Sequence, residues 1–175
     1  MIAQANGAAG PNTIAFQVGL TGTIPLSTGE IAISDDTTIN GPGAANLAVS
    51  GNSASRIFTV AASKTVVIDG LTLKDGSSVN PGGAILNNGN LTVSNSAFTG
   101  NQSTTTSGFS GGGAIQSYGT LTVSDSSFSG NTAVRGGAIN IEFGSSATLS
   151  NSTLTSNTAT AASNGGGGAI FSQGA

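Results

Sequence analysis

The chain of 175 residues contains no cysteine, no histidine and no tryptophan, and only 6% of its residues are charged. Without cysteine there can be no disulfide framework, thiol nucleophile or thiolate metal site. Without histidine the commonest general base and metal ligand is missing. The net charge is −3 and aromatic residues make up 5%, so we expect neither a basic stripe nor a stacking platform for nucleic acid.

Long apolar runs are also missing. No stretch approaches the roughly 18 apolar residues of a membrane span, and no basic segment followed by an apolar run opens the chain. We predict no membrane span in this segment and no cofactor. We interpret the chain as a piece of a longer protein, whose signal and anchor lie outside it.

A repeated phrase dominates the second half of the chain. Gly-Gly-Ala-Ile begins at Gly82, Gly112, Gly136 and Gly167, and the first three copies lead into two short runs in which apolar and small polar residues alternate. The second run ends in Phe-x-x-Asn or Leu-x-x-Asn. Alternation with a period of two predicts β-strands, and the 28 glycines with abundant Ser, Thr and Asn disfavour helix.

Strands this short can bury their apolar side only if successive copies stack. We predict an all-β, single-stranded parallel β-helix (β-solenoid) with three short strands per coil. About six to seven coils at about 4.8 Å each make a rod on the order of 30 Å long. Residues 1–175 form one domain, with irregular coils over 1–80 and regular repeats over 81–175. Ile39-Asn40-Gly41 aligns with Ile68-Asp69-Gly70, which extends the scheme into the first half.

Aligning the copies predicts three inward columns of stacked side chains. Each column repeats one apolar position from coil to coil, so together the columns form the core. They are Val93, Val123 and Leu149; Phe98, Phe128 and Leu154; and Ile85, Ile115, Ile139 and Ile170.

Glycine and asparagine recur at the predicted corners. We assign the paired glycines to tight turns with positive φ, because no helix follows them to complete an anion site. They are Gly82, Gly83, Gly112, Gly113, Gly136, Gly137, Gly167 and Gly168. Amide side chains at equivalent corners can bond from coil to coil as ladders. The expected ladders are Asn95, Asp125 and Asn151, and Asn101, Asn131 and Asn157.

The Gly-Gly-Ala-Ile and Phe-x-x-Asn phrases resemble the twin repeat of the polymorphic outer-membrane proteins of bacteria, an autotransporter family with β-helical adhesin passengers. The residues from Ile14 to Val60 also look like the opening of large secreted bacterial β-helix repeat proteins. The resemblance implies a right-handed coil, a bacterial cell-surface setting and a role in adhesion.

Two outward features are candidate interaction surfaces. Thr92, Thr122 and Thr148, with Ser94, Ser124 and Ser150, form a grid of hydroxyl and methyl groups, a surface type that ice-binding solenoids also use. Val67 and Asp69, at the equivalent positions of the preceding coil, interrupt the grid. Ordinary exposure to solvent also explains the hydroxyl side chains. The loops over 102–111 and 158–166, one of which carries Phe109, are either ligand contacts or tolerated insertions.

Catalysis on acidic polysaccharides is the alternative from another class, since some β-helices are lyases or hydrolases. That chemistry needs clustered carboxylates or a cation with a base. The seven acids are Glu30, Asp35, Asp36, Asp69, Asp75, Asp125 and Glu142. Only Asp35 and Asp36 are adjacent, and the solitary bases Arg56, Lys64, Lys74 and Arg135 form no evident set. We expect no enzyme activity.

The sequence therefore predicts a non-catalytic extracellular or cell-surface solenoid that acts as a structural stalk, scaffold or adhesin passenger. Three alternatives stay open: a filament subunit that stacks end to end, a polysaccharide-binding or polysaccharide-cleaving β-helix, and an ice-binding solenoid. The partners implied are the chain itself, through open solenoid ends, or a host surface or glycan.

Overall fold

The computed structural model describes residues 2–105, 111–161 and 166–173. Within these ranges a one-turn helix, α1 (Ile2–Ala5), precedes six coils of short strands. The first coil contains β1 (Asn12–Ala15), β2 (Gly22–Pro25) and β3 (Ile31–Ile33). The second contains β4 (Thr37–Asn40), β5 (Leu47–Ser50) and β6 (Phe58–Val60).

The later coils have four strands each. The third contains β7 (Thr65–Asp69), β8 (Thr72–Lys74), β9 (Ser77–Ser78) and β10 (Ile85–Asn87). The fourth contains β11 (Asn90–Ser94), β12 (Ala97–Thr99), β13 (Gln102–Ser103) and β14 (Ile115–Ser117). The fifth contains β15 (Thr120–Ser124), β16 (Ser127–Ser129), β17 (Thr132–Ala133) and β18 (Ile139–Ile141). The sixth contains β19 (Ser146–Ser150), β20 (Thr153–Thr155), β21 (Thr158–Ala159) and β22 (Ile170–Ser172).

Equivalent strands pair in parallel along the rod and form four sheets. Sheet A has the order β1-β4-β7-β11-β15-β19, and sheet B the order β2-β5-β8-β12-β16-β20. Sheet C has the order β3-β6-β10-β14-β18-β22, and sheet D the order β9-β13-β17-β21. This arrangement confirms the predicted all-β parallel solenoid.

Two details of the fold differ from the prediction. From the third coil onward, a two-residue strand after the Phe-x-x-Asn corner or its equivalent adds sheet D, so these coils have four strands rather than three. The other difference is α1. Ala3, Gln4 and Ala5 have favourable helix propensity, and Ile2 packs against the core, so one helical turn forms where the sequence pattern predicted none.

The register of the strands sets the contents of the core. Phe98 pairs with Phe128, Val93 with Val123, and Ile85 with Ile115. These side chains are fully buried in the middle coils. In the sixth coil the same columns end in Leu149 and Leu154, which are partly buried, and in Ile170, which is exposed at 37%. These three predicted core residues stand in the predicted columns but lie at one face of the core, because no described coil follows them.

Candidate functional site

The paired glycines serve two different purposes. Gly82, Gly112 and Gly136 have φ values of 81°, 69° and 54°, whereas Gly167 does not have a positive φ. The second glycine of the first three pairs lies against the next coil: a Cβ on Gly113, for example, would collide with the carbonyl oxygen of Gly137, whereas one on Gly168 would meet no close atom. The first position in three copies therefore needs glycine for its backbone angle, and the second needs it for close stacking of the coils.

One asparagine column forms a continuous ladder inside the rod. The side-chain nitrogen of Asn101 donates to Oδ1 of Asn131 at 3.0 Å and to the carbonyl of Leu73 at 3.0 Å. Asn131 repeats the pattern one coil later, donating to Oδ1 of Asn157 at 2.9 Å and to the carbonyl of Phe98 at 3.1 Å. Asn101 and Asn131 are completely buried. Each amide thus links three coils.

The other predicted amide column forms no ladder. Asn95, Asp125 and Asn151 are exposed and have φ values of 48°, 50° and 47°, and no side-chain bond connects them within the described residues. Their left-handed backbone turns the side chains out at the corner between sheets A and B. The nearest contact is from Asn95 to Asp69, at 2.7 Å.

The ladder at that corner belongs to the next residue in each coil. The main-chain N–H of Ser96 donates to Oγ of Ser126 at 3.2 Å, and the N–H of Ser126 donates to Oγ of Ser152 at 3.2 Å. The Ser96 and Ser126 hydroxyls in turn donate to the carbonyls two residues earlier at 2.7 Å. Serine recurs at this position in three coils, which is a sequence signal for a ladder. The predicted ladder lies one residue earlier, at Asn95, Asp125 and Asn151.

Arg56 joins the first three coils through all five of its N–H groups. Its Nε donates to the carbonyl of Gly82 at 2.9 Å. One terminal nitrogen donates to Glu30 at 2.6 Å and to Thr59 at 3.1 Å. The other donates to Ser78 at 3.1 Å and to the carbonyl of Pro81 at 3.0 Å. Because the guanidinium is 6% exposed and fully bonded, it acts as a structural clamp.

The adjacent acids Asp35 and Asp36 serve the turn between sheets C and A. Lys64 Nζ lies 3.2 Å from Asp35 Oδ1, and Asp36 Oδ1 accepts the main-chain N–H of Thr65 at 2.8 Å. The Asp36 N–H, donated to the Asp35 carboxylate at 2.9 Å, lowers the pKa of Asp35 below its ordinary value of 3.8, and Lys64 lowers it further. Both carboxylates are bonded within the turn.

Three more acids accept hydrogen bonds from neutral donors at separate places along the rod. Asp69 accepts from Ser94 at 2.7 Å, Asp75 from Ser50 at 3.4 Å, and Glu142 from Gln116 at 3.1 Å. Among the residues described, no group of three or more acidic side chains comes close enough to bind a metal ion together.

The outward hydroxyl column of sheet A is longer than the repeats alone predict. The pairings place Thr13 beside Thr38, Thr38 beside Val67, and Val67 beside Thr92. Thr122 and Thr148 continue the column. Five threonines and one valine therefore occupy a single outward row across six coils. Alignment of the repeats does not place Thr13 and Thr38 in this row, because the first two coils lack the repeated phrases that align the later coils.

The two predicted loops begin as strands. Gln102–Ser103 forms β13 and Thr158–Ala159 forms β21, both in sheet D. Thr105 is buried, so the start of the first loop is part of the rod wall. Phe109 and residues 106–110 and 162–165 lie outside the described residues, and the suggested ligand contacts there stay a prediction.

Comparison of the chain with protein-family models, with curated proteins and with solved structures gives no match in any of the three. Across the described ranges, no helix has the length and apolar character needed to cross a bilayer.

Proposed function

We propose that the chain is a non-catalytic solenoid rod that acts as a structural stalk or scaffold, or as an adhesin passenger, in an extracellular or cell-surface protein. The observation that supports this proposal most is the continuous bonding between coils. The asparagine ladder, the serine ladder and the Arg56 clamp use their polar groups to hold one coil to the next, which is what a spacer of constant length needs.

The surface of the rod also supports a spacer. Its outward strand positions carry mostly Thr, Ser and Ala, and charged residues are few. The similarity of Gly-Gly-Ala-Ile and Phe-x-x-Asn to autotransporter passenger repeats supports the cell-surface setting.

A spacer depends on length, and the register of the coils allows length to be changed cleanly. Ser94 and Ser124 occupy equivalent positions, so deleting residues 95–124 removes one coil. The deletion should shorten the rod by about 4.8 Å and keep the fold. In a display fusion that places the chain between a membrane anchor and an epitope, the deletion should reduce access of a bulky antibody to the epitope.

The control is Thr122→Ser, which alters one outward side chain and leaves the length unchanged. Equal antibody access for the coil deletion and the control would contradict the spacer proposal. Specific binding of the intact chain to a glycan array would favour adhesion, release of sugar ends from polysaccharides would indicate an enzyme, and fibres that grow with concentration would indicate a filament.

The outward threonine row favours ice binding as a second candidate. A regular row of hydroxyl and methyl groups, repeating at about the 4.8 Å strand spacing, can order water at matching intervals. Thr122→Lys should abolish inhibition of ice recrystallisation, whereas Thr99→Lys, on the outer face of sheet B, should not. No inhibition by the wild-type chain would eliminate this candidate.

A further inference from the structure

An apolar cavity of about 440 Å³ lies inside the first two coils, beneath α1. Ile14, Ile24 and Ile31 of the first coil contribute to its wall. They stack on Ile39, Val49 and Phe58 of the second coil, which also line it. The cavity is therefore the apolar interior of the first two coils, and it is partly open to solvent at the first coil.

One inward column that borders the cavity changes size along the rod. The sheet B column is filled by Phe98 and Phe128 in the fourth and fifth coils, but by Ile24 and Val49 in the first two. Aliphatic side chains leave space that an aromatic ring would fill. Apolar surface that is left in contact with water favours the binding of apolar molecules.

The polar groups at the rim are already bonded. Glu30, the charged residue that lines the cavity, pairs with Arg56 at 2.6 Å. The side chain of Asn6 donates to the carbonyl of Ala32 at 2.8 Å and accepts the N–H of Ser34 at 2.9 Å. These two bonds also hold the chain after α1 against β3. A charged ligand would have no unpaired counter-charge to bind in the cavity, whereas an uncharged ligand needs none.

We propose that this cavity is a binding site for a small uncharged apolar molecule, of the size of a substituted aromatic ring. The volume falls within the roughly 300–1,000 Å³ typical of small-molecule sites. Ile24 is 38% exposed, so the cavity reaches the surface beside β2 and a ligand can enter without unfolding the coils. This site goes beyond the stalk function and is independent of it.

The test uses the full chain and the uncharged fluorescent probe N-phenyl-1-naphthylamine. The wild type should brighten the probe saturably with one site per chain. Val49→Phe places in the cavity the ring that Phe98 supplies to the same column, and it should weaken probe binding at least about tenfold while the melting temperature is maintained or raised. The matched control Val18→Phe adds the same ring at a position that is 97% exposed, and should bind as the wild type does.

A second measurement keeps the proposal testable if Val49→Phe does not fold. Butylbenzene added to the wild type should shift the methyl NMR signals of Ile14, Ile24 and Ile39 and leave that of Ile139 unchanged. Absence of saturable probe binding, unchanged binding by a folded Val49→Phe, or shifts that spare Ile14, Ile24 and Ile39 would each overturn the site.

Discussion

The ring of Phe98 lies on the ring of Phe128 with centroids 4.6 Å apart and planes 5° from parallel. The separation matches the spacing between hydrogen-bonded strands, so the strand pairing brings the two rings into contact. Both rings are fully buried. The stack therefore links the core of the fourth coil to that of the fifth, and removing one ring should destabilise both coils.

Phe128→Ala should lower the free energy of unfolding by about 3–5 kcal/mol, because it removes a buried ring and leaves a cavity between two coils. Phe128→Leu should cost less, since Leu73 and Leu154 occupy the same column. Chemical denaturation followed by circular dichroism measures both. Equal decreases in the free energy of unfolding for the two variants would show that the stability of the column does not depend on side-chain volume at this position.

Asn131→Ala should lower the free energy of unfolding by at least about 2 kcal/mol, because it removes a completely buried amide whose oxygen accepts two bonds from Asn101. The control is Asn151→Gly, at an exposed corner with φ of 47°. Glycine accepts that angle, so the control should change stability by no more than about 1 kcal/mol. If the two variants lose equal stability, the ladder contributes nothing beyond the corner geometry.

Arg56→Met keeps the aliphatic stem but removes five donors, and should cost about 2–4 kcal/mol. Glu30 is 43% exposed, so Glu30→Gln should cost no more than about 1 kcal/mol. Thermal melts of the two variants separate the clamp from the ion pair. If Glu30→Gln lowered the melting temperature more than Arg56→Met did, the ion pair, and not the set of bonds to the third coil, would hold the first coils together.

The lowered pKa of Asp35 predicts an acid-dependent loss of stability. Because the folded-state pKa lies below the ordinary value of 3.8, the carboxylate stabilises the fold above that pH, and this contribution disappears as the pH falls through the folded-state pKa. Asp35→Asn should remove this part of the pH dependence. Lys64→Met should reduce it only in part, since the Asp36 N–H is the larger cause.

The measurement is an NMR titration of the Asp35 carboxyl together with the unfolding free energy at neutral and acidic pH. An Asp35 pKa that rises fully to its ordinary value in Lys64→Met would show that the ion pair, and not the backbone bond, causes the shift.

Much of the architecture was predictable from residue spacing. The Gly-Gly-Ala-Ile copies set the register of sheet C, and Ile39 aligns with Ile68 as expected. Alternation reports which side chains face inward because a strand has a period of two. Alternation does not predict the direction of a corner residue such as Asn95, because a corner has no period of two. There the backbone φ decides whether the side chain turns into the rod or out of it.

The repeat pattern alone specifies that the chain stacks short parallel strands, and which apolar residues share a column, because a repeat that cannot bury its own apolar face must bury it against its copies. Which polar residues connect the coils is set by the folded arrangement of the corners. The serine ladder, the five bonds of Arg56, the threonine row from Thr13 to Thr148 and the apolar cavity all join residues from different coils. Their contacts depend on the path of each corner, and local residue preferences do not specify that path.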